Sequence, residues 1–266
     1  MRVLLDGLPS GTRVLDLGAA AGSFSLGRND LLLVRADRRV PSPRKPGLYV
    51  AADAARLPFA SASFDAVIAN HSLEHFEDLE AALREVGRIV KPGGSLYVAV
   101  PDASTLTDRI YRWLGRGGGH VNAFRRPKDV IGPVERLTGL KHRGTRGLFS
   151  SLSFLNNHNF TAPPPKRIAL FAFGDERCLA ALMWILRGID QRRGTRLSRY
   201  GWAFYFGRIA GEINDERWVN VCVRCGSGHS AAHLRKTGAA RRAVWRIETY
   251  RCPDCGAWNL LSPDDR

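Results

Sequence analysis

A short apolar run that ends in an acid and a series of very small residues constrains this sequence most. Residues 14–23 read Val-Leu-Asp-Leu-Gly-Ala-Ala-Ala-Gly-Ser. Apolar residues followed by small ones predict a strand, a tight turn and a helix start near Ser23. Small residues leave room for a ligand against bare backbone, and a helix N-terminus offers unpaired N–H groups. The stretch therefore predicts a ligand-binding turn in an α/β protein.

The glycine pattern argues against a dinucleotide as that ligand. A dinucleotide fingerprint requires glycine at three positions spaced G-x-G-x-x-G. Counted from Gly18, those positions hold Gly18, Ala20 and Ser23, so two of the three fail.

Further apolar runs predict a parallel sheet. The run over residues 31–36 ends at Asp37, roughly 20 residues past the turn, where an acid can accept hydrogen bonds from a ribose diol. The alternative for Asp37 is an acid that only caps a loop. More strands are predicted at residues 48–52, 64–70 and 95–100. A helix is predicted over residues 79–90 by its apolar spacing, and Lys-Pro-Gly-Gly ends it.

These motifs together resemble class I S-adenosylmethionine-dependent methyltransferases, in the type 11 branch. The resemblance covers about residues 10–101 and rests on the glycine turn, Leu-Pro-Phe at 57–59, Ser-Phe-Asp at 63–65 and Leu-Glu-His at 73–75. It implies an α/β fold with a Rossmann-like seven-stranded sheet, and S-adenosyl-L-methionine as cofactor.

The resemblance assigns the glycine turn to the methionine and ribose parts of the cofactor. Asp16 would orient the turn, and Gly18, Ala20 and Gly22 would line it. Ala20 departs from the family, which has glycine there. The departure leaves open a non-enzymatic reading, in which the domain is degenerate and has lost its affinity for the cofactor.

Residues after the later strands complete the implied cofactor site. Asp37 would hold the ribose hydroxyls, Asp53 would accept from the adenine amino group, and Ala54 would leave room for the ring. Asn70 ends the fourth strand, and open α/β sheets bind ligands at that edge.

Two histidines are candidates for a base that removes a proton from the methyl acceptor. His71 follows the fourth strand; its alternative role is to order the loop beside the cofactor. His120 precedes a helix predicted from about residue 127 to 137 and resembles the substrate-side lid of small-molecule methyltransferases. Its alternative is a loop histidine with a structural hydrogen bond.

Two C-x-x-C pairs near the C-terminus predict a structural metal site. Cys222 and Cys225 form one pair, and Cys252 and Cys255 form the other, each followed by glycine. Two such pairs make a closed four-sulfur site of the kind that binds Zn²⁺, and the module resembles a zinc ribbon. The alternatives are a redox-active Cys-Pro-Asp-Cys motif and iron in the same site. Residues 243–250 alternate like a strand of the hairpin between the pairs.

The middle of the chain is harder to interpret. Residues 147–155 predict strand six, and either 168–173 or 202–206 could form strand seven. Residues 179–186 are apolar on nearly all sides, which favours a buried helix over one that dips into a membrane. The fifth cysteine, Cys178, is expected to be buried.

The charge of the chain is concentrated after residue 100. The formal net charge is +15; residues 1–100 carry 12 basic and 11 acidic residues, and residues 101–266 carry 28 and 14. A basic region favours an anionic partner such as nucleic acid or an acidic lipid surface; an arginine-rich codon composition is the alternative. No signal peptide opens the sequence, and its longest apolar run is too short to span a bilayer, so a cytoplasmic protein is expected.

We therefore expect three regions: a methyltransferase core over residues 1–155, a completion of the core with a substrate lid over 156–215, and the zinc module over 216–266. The expected function is methyl transfer from S-adenosylmethionine to a small-molecule, lipid or glycan acceptor, with peripheral membrane contact as a further option. The alternative is an RNA or DNA methyltransferase that grips phosphates with the basic C-terminal half.

Overall fold

The structure, a computed structural model, describes residues 1–20, 22–24, 28–40, 47–115, 119–150, 152–157, 166–172, 176–210, 213, 220–244 and 247–262. The chain divides into two units of three segments each. Unit 1 comprises Met1–Pro101, Val121–Arg146 and Trp202–Ile213. Unit 2 comprises Asp102–His120, Gly147–Gly201 and Asn214–Arg266.

A seven-stranded mixed sheet confirms the predicted α/β class, and its order is β3-β2-β1-β4-β5-β7-β6. Its strands are β1 (Arg13–Leu17), β2 (Leu32–Asp37), β3 (Leu48–Ala51), β4 (Phe64–Asn70), β5 (Val90–Pro101), β6 (His142–Phe149) and β7 (Arg199–Gly207). Strands β1 to β5 pair in parallel. Their carboxyl ends therefore meet at one edge of the sheet, where ligands of open α/β folds bind.

Strand β7 runs antiparallel to β5. The backbone N–H of Arg208 donates to the carbonyl of Gly94, and that of Asp102 donates to the carbonyl of Tyr200. The structure thus selects residues 202–206 for the last strand. The competing segment is partly helical instead, as α5 (Lys166–Leu170).

Besides α5, the helices are α1 (Arg2–Asp6), α2 (Leu79–Ile89), α3 (Leu106–Leu114), α4 (Lys128–Thr138), α6 (Glu176–Arg193) and α7 (Ala231–Lys236). Helix α2 begins where sequence rules place it, because the Asp78 side chain accepts the N–H of Ala81 at 2.9 Å. Helix α4 ends at Gly139, whose φ of 73° is the left-handed conformation that suits glycine.

The core of unit 1 lies between the sheet and helices α2 and α4. Leu15, Val67 and Val98 of the central strands are fully buried, and Val86 and Val134 of the two helices join the same cluster. Burial of such side chains contributes about 1.5–3 kcal/mol each. This core positions the strand ends that form the site.

Two predicted strand boundaries are wrong, and one predicted helix lies mainly outside the described residues. Strand β5 begins at Val90 rather than at residue 95, because the chain enters the strand directly after α2. Strand β6 covers His142–Phe149 rather than 147–155, and Ser153–Leu155 is a 3-10 turn. The helix predicted from Ser23 falls mainly on residues outside the described ranges, and residues 22–24 are not helical.

Unit 2 contains a small ribbon of short strands. They are β8 (Asn220–Val221), β9 (Gly228–His229), β10 (Ala240–Val244), β11 (Ile247–Arg251) and β12 (Trp258–Leu260). Strands β10, β11 and β12 form an antiparallel sheet, and β8 pairs with β9. The single strand predicted over 243–250 is therefore two strands of a hairpin.

Helix α6 packs on this ribbon by one face only. Leu179 and Met183 share a buried cluster with Trp258 of β12. The opposite face is exposed, and so is Cys178. The predictions of a buried helix and of a buried fifth cysteine are wrong for that outer face, because apolar residues on all sides of a helix do not ensure that all of its sides are covered.

Candidate cofactor cavity and cysteine cluster

A cavity of about 340 Å³ lies at the carboxyl ends of β1 to β4, entirely within unit 1. Six residues predicted for the site line it: Gly18, Ala20, Asp37, Asp53, Ala54 and His71. Cavities that hold small ligands measure roughly 300–1,000 Å³. The structure therefore brings most of the predicted cofactor residues to one cavity of suitable size.

The glycine turn forms one wall of the cavity. Gly18 has a φ of 70°, and a Cβ there would overlap the Cβ of Ser72. Ala20 has a φ of 44°, which is uncommon for a residue with a side chain. Its N–H donates to Asp37 Oδ2 at 2.8 Å, so the acid at the end of β2 holds the turn.

Asp16 lies beneath the turn rather than in the cavity. It is fully buried, and its oxygens accept from the N–H and the hydroxyl of Ser23. The guanidinium of Arg35, itself buried, approaches it at 3.5 Å and also donates to the carbonyl of Phe24. Asp16 therefore contacts the end of the turn at Ser23 and has a buried partner, Arg35, that was not predicted; its role in orienting the turn remains a prediction.

Gly22 and Asn70 are also absent from the lining of the cavity. Gly22 closes the turn by donating to the carbonyl of Ala19 at 2.7 Å. Asn70 is buried at the end of β4. Direct contact of these two residues with a cofactor remains a prediction.

An arginine spans the acidic side of the cavity. Arg38 contacts Glu77 at 2.7 Å and Asp53 at 3.3 Å. The pKa of Asp53 is lowered by the hydrogen bond from the N–H of Ala55 and by Arg38. The pKa of Glu77 is lowered by the hydrogen bond from Arg38. Both carboxylates therefore stay ionised, and each oxygen can accept further hydrogen bonds.

His71 lies in the cavity in a strained backbone conformation, with a φ of 56°. Its Nδ1 is 3.9 Å from Oε1 of Glu74, a carboxylate that is only 1% exposed. Strained residues of this kind concentrate at functional sites. A buried acid beside an imidazole can fix the ring orientation and stabilise a charged ring.

The turn that carries Glu74 is braced by backbone contacts. The N–H groups of Val121 and Asn122 both donate to the carbonyl of Glu74. The Asn122 side chain donates to the carbonyls of Leu73 and Phe76 at 2.9 and 2.7 Å. One wall of the cavity is thereby held in place by a segment some 50 residues later in sequence.

His120 is in unit 2 and is not among the residues that line the cavity. Its Nδ1 lies 3.6 Å from Oδ1 of buried Asp108, and its ring is 5.2 Å from that of Tyr111. Burial raises the pKa of Asp108, but the contacts with His120 and Arg112 outweigh burial and leave the pKa below its ordinary value. His120 therefore has a charged and an aromatic neighbour within unit 2, and both of its expected roles, a base or a loop histidine with a structural hydrogen bond, remain predictions.

The four cysteines of the C-x-x-C pairs converge in unit 2. All four sulfurs lie within 4.8 Å of one another, and the Cys222–Cys255 and Cys225–Cys252 distances are both 3.6 Å. Four sulfurs at about 2.3 Å from one Zn²⁺ ion would be about 3.8 Å apart in a tetrahedron. The spacing of the sulfurs thus fits a tetrahedral metal site.

The two pairs have the same backbone geometry. The N–H of Gly226 donates to the carbonyl of Cys222, and that of Gly256 donates to the carbonyl of Cys252, both at 2.8 Å. Both glycines have positive φ angles, of 66° and 71°. Such knuckles turn two thiols and nearby N–H groups toward one point.

Sequence reasoning missed Arg35, Arg38 and the residues around Glu77. Arg35 had a visible signal, since it is the one charged residue within the apolar run 31–36. A charge in a buried strand requires a buried partner. Arg38 and Glu77 lie in polar loops, where no pattern distinguishes a ligand-facing residue from a solvated one.

Comparison with known proteins agrees with this geometry. Residues 28–98 match the family Methyltransf_11, described as a methyltransferase domain. The chain is 40% identical over 105 residues to a demethylmenaquinone methyltransferase of Mycolicibacterium paratuberculosis, covering 35% of this chain and 43% of the relative. It is 30% identical over 164 residues to a ubiquinone biosynthesis O-methyltransferase of Rhizobium rhizogenes, covering 53% and 64%.

Among solved structures, the chain resembles the YcgJ protein of Bacillus subtilis, with a TM-score of 0.46 and 17% identity. That match covers 76% of this chain and 94% of the other. The chain spans less than two thirds of the length of the curated relatives given above. Residues 28–98 are thus the segment of this chain that matches a methyltransferase domain, and both relatives given above are named as methyltransferases.

Proposed function

We propose that this protein transfers a methyl group from S-adenosyl-L-methionine to a small-molecule acceptor, a class in which we include lipids and glycans. The observation that carries the proposal is the cavity at the ends of β1 to β4, which lies largely within the segment that matches a methyltransferase domain. Its acids suit hydroxyl and amino donors, and its glycine turn leaves bare backbone within reach. When bound, the cofactor supplies an activated methyl group.

The residues of the cavity have distinct roles in this proposal. Asp37 holds the ribose hydroxyls and, through the N–H of Ala20, the turn itself. Asp53 accepts from the adenine amino group beside the small side chain of Ala54. Because Arg38 already contacts Asp53, the guanidinium has to share that carboxylate with the ligand or shift toward Glu77.

His71 is the candidate base on the acceptor side, and Glu74 is its positioning residue. A proton leaves the acceptor atom as the new bond to carbon forms, and a neutral imidazole can take it. Buried Glu74 stabilises the charged ring that results. Positioning of the two reactants supplies the rest of the catalysis.

Calorimetry tests the cofactor site directly. Wild-type protein is expected to bind S-adenosylmethionine and S-adenosylhomocysteine, and Asp37→Asn to bind both about tenfold more weakly or worse, because a hydrogen bond to a charged group is lost. Asp6→Asn, which changes an exposed carboxylate outside the cavity, is the control. Absence of binding to the wild type would overturn the proposal.

A labelled methyl group identifies the acceptor. Cofactor labelled in its methyl group is incubated with the protein and with separate lipid, polysaccharide, small-molecule, protein and RNA fractions. Label in a lipid, glycan or other small molecule supports the proposal. Label in RNA would replace it with the nucleic-acid alternative, which no family match or relative given above favours.

With an acceptor in hand, His71→Asn tests the base. Asparagine tolerates the left-handed backbone at this position, so the turn should survive. We expect kcat to fall by about a hundredfold or more while the cofactor Kd stays within about twofold. Glu74→Gln should shift the pH profile of kcat, which a merely structural role would leave in place.

We further propose that Cys222, Cys225, Cys252 and Cys255 hold one structural Zn²⁺ ion. The spacing of the sulfurs and the matched knuckles support it. Elemental analysis under reducing conditions should find one zinc per chain, lost in Cys225→Ser and kept in Cys178→Ser, because Cys178 lies outside the cluster. Iron in place of zinc, or no metal, would overturn the assignment.

A further inference from the structure

Helix α6 is apolar on two opposite faces. Its inner face, with Leu179 and Met183, is buried against the ribbon. Its outer face carries Leu182, Trp184 and Ile185, which are 43%, 55% and 51% exposed. A surface helix of a globular protein normally has polar side chains opposite its buried stripe. The outer face therefore has an apolar character that packing within unit 2 does not explain.

Exposed apolar side chains concentrate on this part of the molecule. Of the eleven large apolar residues that are exposed in the described part of the chain, seven lie on α3, α5 or α6 or directly after α5. One pair of them, Trp113 and Phe171, has ring centroids 6.0 Å apart. Large exposed apolar patches mark interaction surfaces.

The charges on α6 and α5 are predominantly basic. Arg177 lies near the start of α6, and Arg192 and Arg193 lie at its end, all of them exposed. Lys166 and Arg167 of α5 are exposed too. Helix α6 also carries two acids, Glu176 at its first position and Asp190; Asp190 accepts hydrogen bonds from Thr195, Leu197 and Ser198 of the following loop.

We propose that the outer face of α6, defined by Leu182, Trp184 and Ile185, docks on the surface of a membrane rich in anionic lipid. An indole between apolar and wet surroundings, aliphatic side chains beside it and arginines at both ends of the helix are the features of a helix that lies in the plane of the interface. The phosphates of anionic lipids match the basic residues in charge.

The depth of contact follows from the helix itself. Its 18 residues span about 27 Å, and an interfacial helix buries its apolar face by about 5–10 Å. No helix in the described ranges is long and apolar enough to cross a bilayer. The contact is therefore peripheral, and it is independent of which molecule accepts the methyl group.

Vesicle flotation with the full chain tests the proposal. Vesicles of phosphatidylglycerol mixed with phosphatidylcholine should carry the protein up the gradient, and pure phosphatidylcholine vesicles should carry at least about tenfold less. Leu182→Gln with Ile185→Gln should lower binding to the anionic vesicles by about tenfold or more, because two aliphatic side chains that become buried in the membrane are lost. Leu48→Gln, at a side chain that is 70% exposed on β3, is the matched control.

A charge-reversed variant tests the electrostatic contribution to vesicle binding, and melting temperatures test whether the variants fold. Arg192→Glu with Arg193→Glu should weaken binding and reduce its dependence on salt. Equal melting temperatures show that the variants are folded. Equal binding to neutral and anionic vesicles, or no binding to either, would overturn the proposal. Light scattering provides a further outcome. If the wild type forms dimers that the Leu182→Gln/Ile185→Gln variant does not form, and no vesicle binding is seen, the face contacts a second copy of the chain instead.

Discussion

Arg35 and Asp16 form a buried charge pair beneath the glycine turn. Their side chains are 2% and 0% exposed, and Arg35 also stacks 5.7 Å from the ring of Tyr49. A buried pair stabilises little compared with an apolar replacement, but removal of one partner leaves an uncompensated charge. The pair therefore makes the turn sensitive to either residue alone.

Arg35→Met is accordingly expected to lower the free energy of unfolding by about 3–5 kcal/mol in urea denaturation. Asp16→Asn combined with Arg35→Met should recover part of that loss. Arg84→Met, which removes an exposed partner of Glu80, should cost less than about 1 kcal/mol and is the control. A loss for Arg35→Met no larger than that for Arg84→Met would show that the buried pair does not hold the turn.

Substitutions at Ala20 and at Gly18 in the glycine turn should have opposite effects on cofactor binding. Ala20→Gly removes a methyl group from a residue that lines the cavity and should tighten cofactor binding several-fold, because the ligand can then approach bare backbone. Gly18→Ala should abolish binding, because its Cβ would overlap Ser72. Calorimetry of both variants, with circular dichroism to confirm folding, measures the contrast. Weaker binding of Ala20→Gly would show that the alanine serves the turn.

At the scale of elements, apolar runs predicted β1 to β4 almost to the residue. In β1 and β4 the run is nearly continuous because both faces of these central parallel strands are buried. Strand β6 was misplaced because it carries His142, Arg143 and Arg146. Arg146 is nonetheless buried, with its guanidinium 5.6 Å from the ring of Tyr205. A strand that buries a charge against an aromatic ring has no apolar pattern for sequence reasoning to find.

Some residues of the cavity could be predicted from the sequence, and others could not. Gly18, Asp37 and Asp53 follow strands, so the topology of an open sheet places them at one edge. Asn122, which braces the wall at Leu73 and Phe76, could not be found in this way, because its contacts join segments far apart in sequence. The proposed division at residues 155/156 and 215/216 stays a prediction.

Helix α3 should give unit 2 an acid-sensitive stability. The pKa of Asp108 is below its ordinary 3.8 in the folded protein, so its stabilising contribution is fully present above that value and is lost as the pH falls through the lower folded value. Asp108→Asn should therefore be less stable than wild type at pH 7, and the difference should narrow below about pH 4. Denaturation midpoints at several pH values measure it, with Asp6→Asn as control. A pH-independent difference would contradict the assignment.

At the scale of the whole molecule, the proposed metal site supports more than the ribbon. Trp258 and Leu260 follow Cys255 closely in sequence and share a buried cluster with Leu179 and Met183 of α6. Metal removal by a chelator should therefore lower the melting temperature and expose the inner face of α6, because metal binding contributes to folding. Calorimetric scans with and without chelator, and binding of a hydrophobic dye, measure the two effects. Cys225→Ser should reproduce the chelated state, and an unchanged melting temperature would contradict a structural role.

The position of β7 in the sheet has a consequence for translation of the chain and for its truncation. β7 lies between β5 and β6, yet it comes last of the seven strands along the chain. A growing polypeptide therefore keeps β5 as an open edge until residue 207 has left the ribosome, and open edges recruit other strands. A fragment that ends at residue 155 would retain that edge permanently, so clones that stop there should accumulate as aggregates, whereas clones that extend past β7 should not.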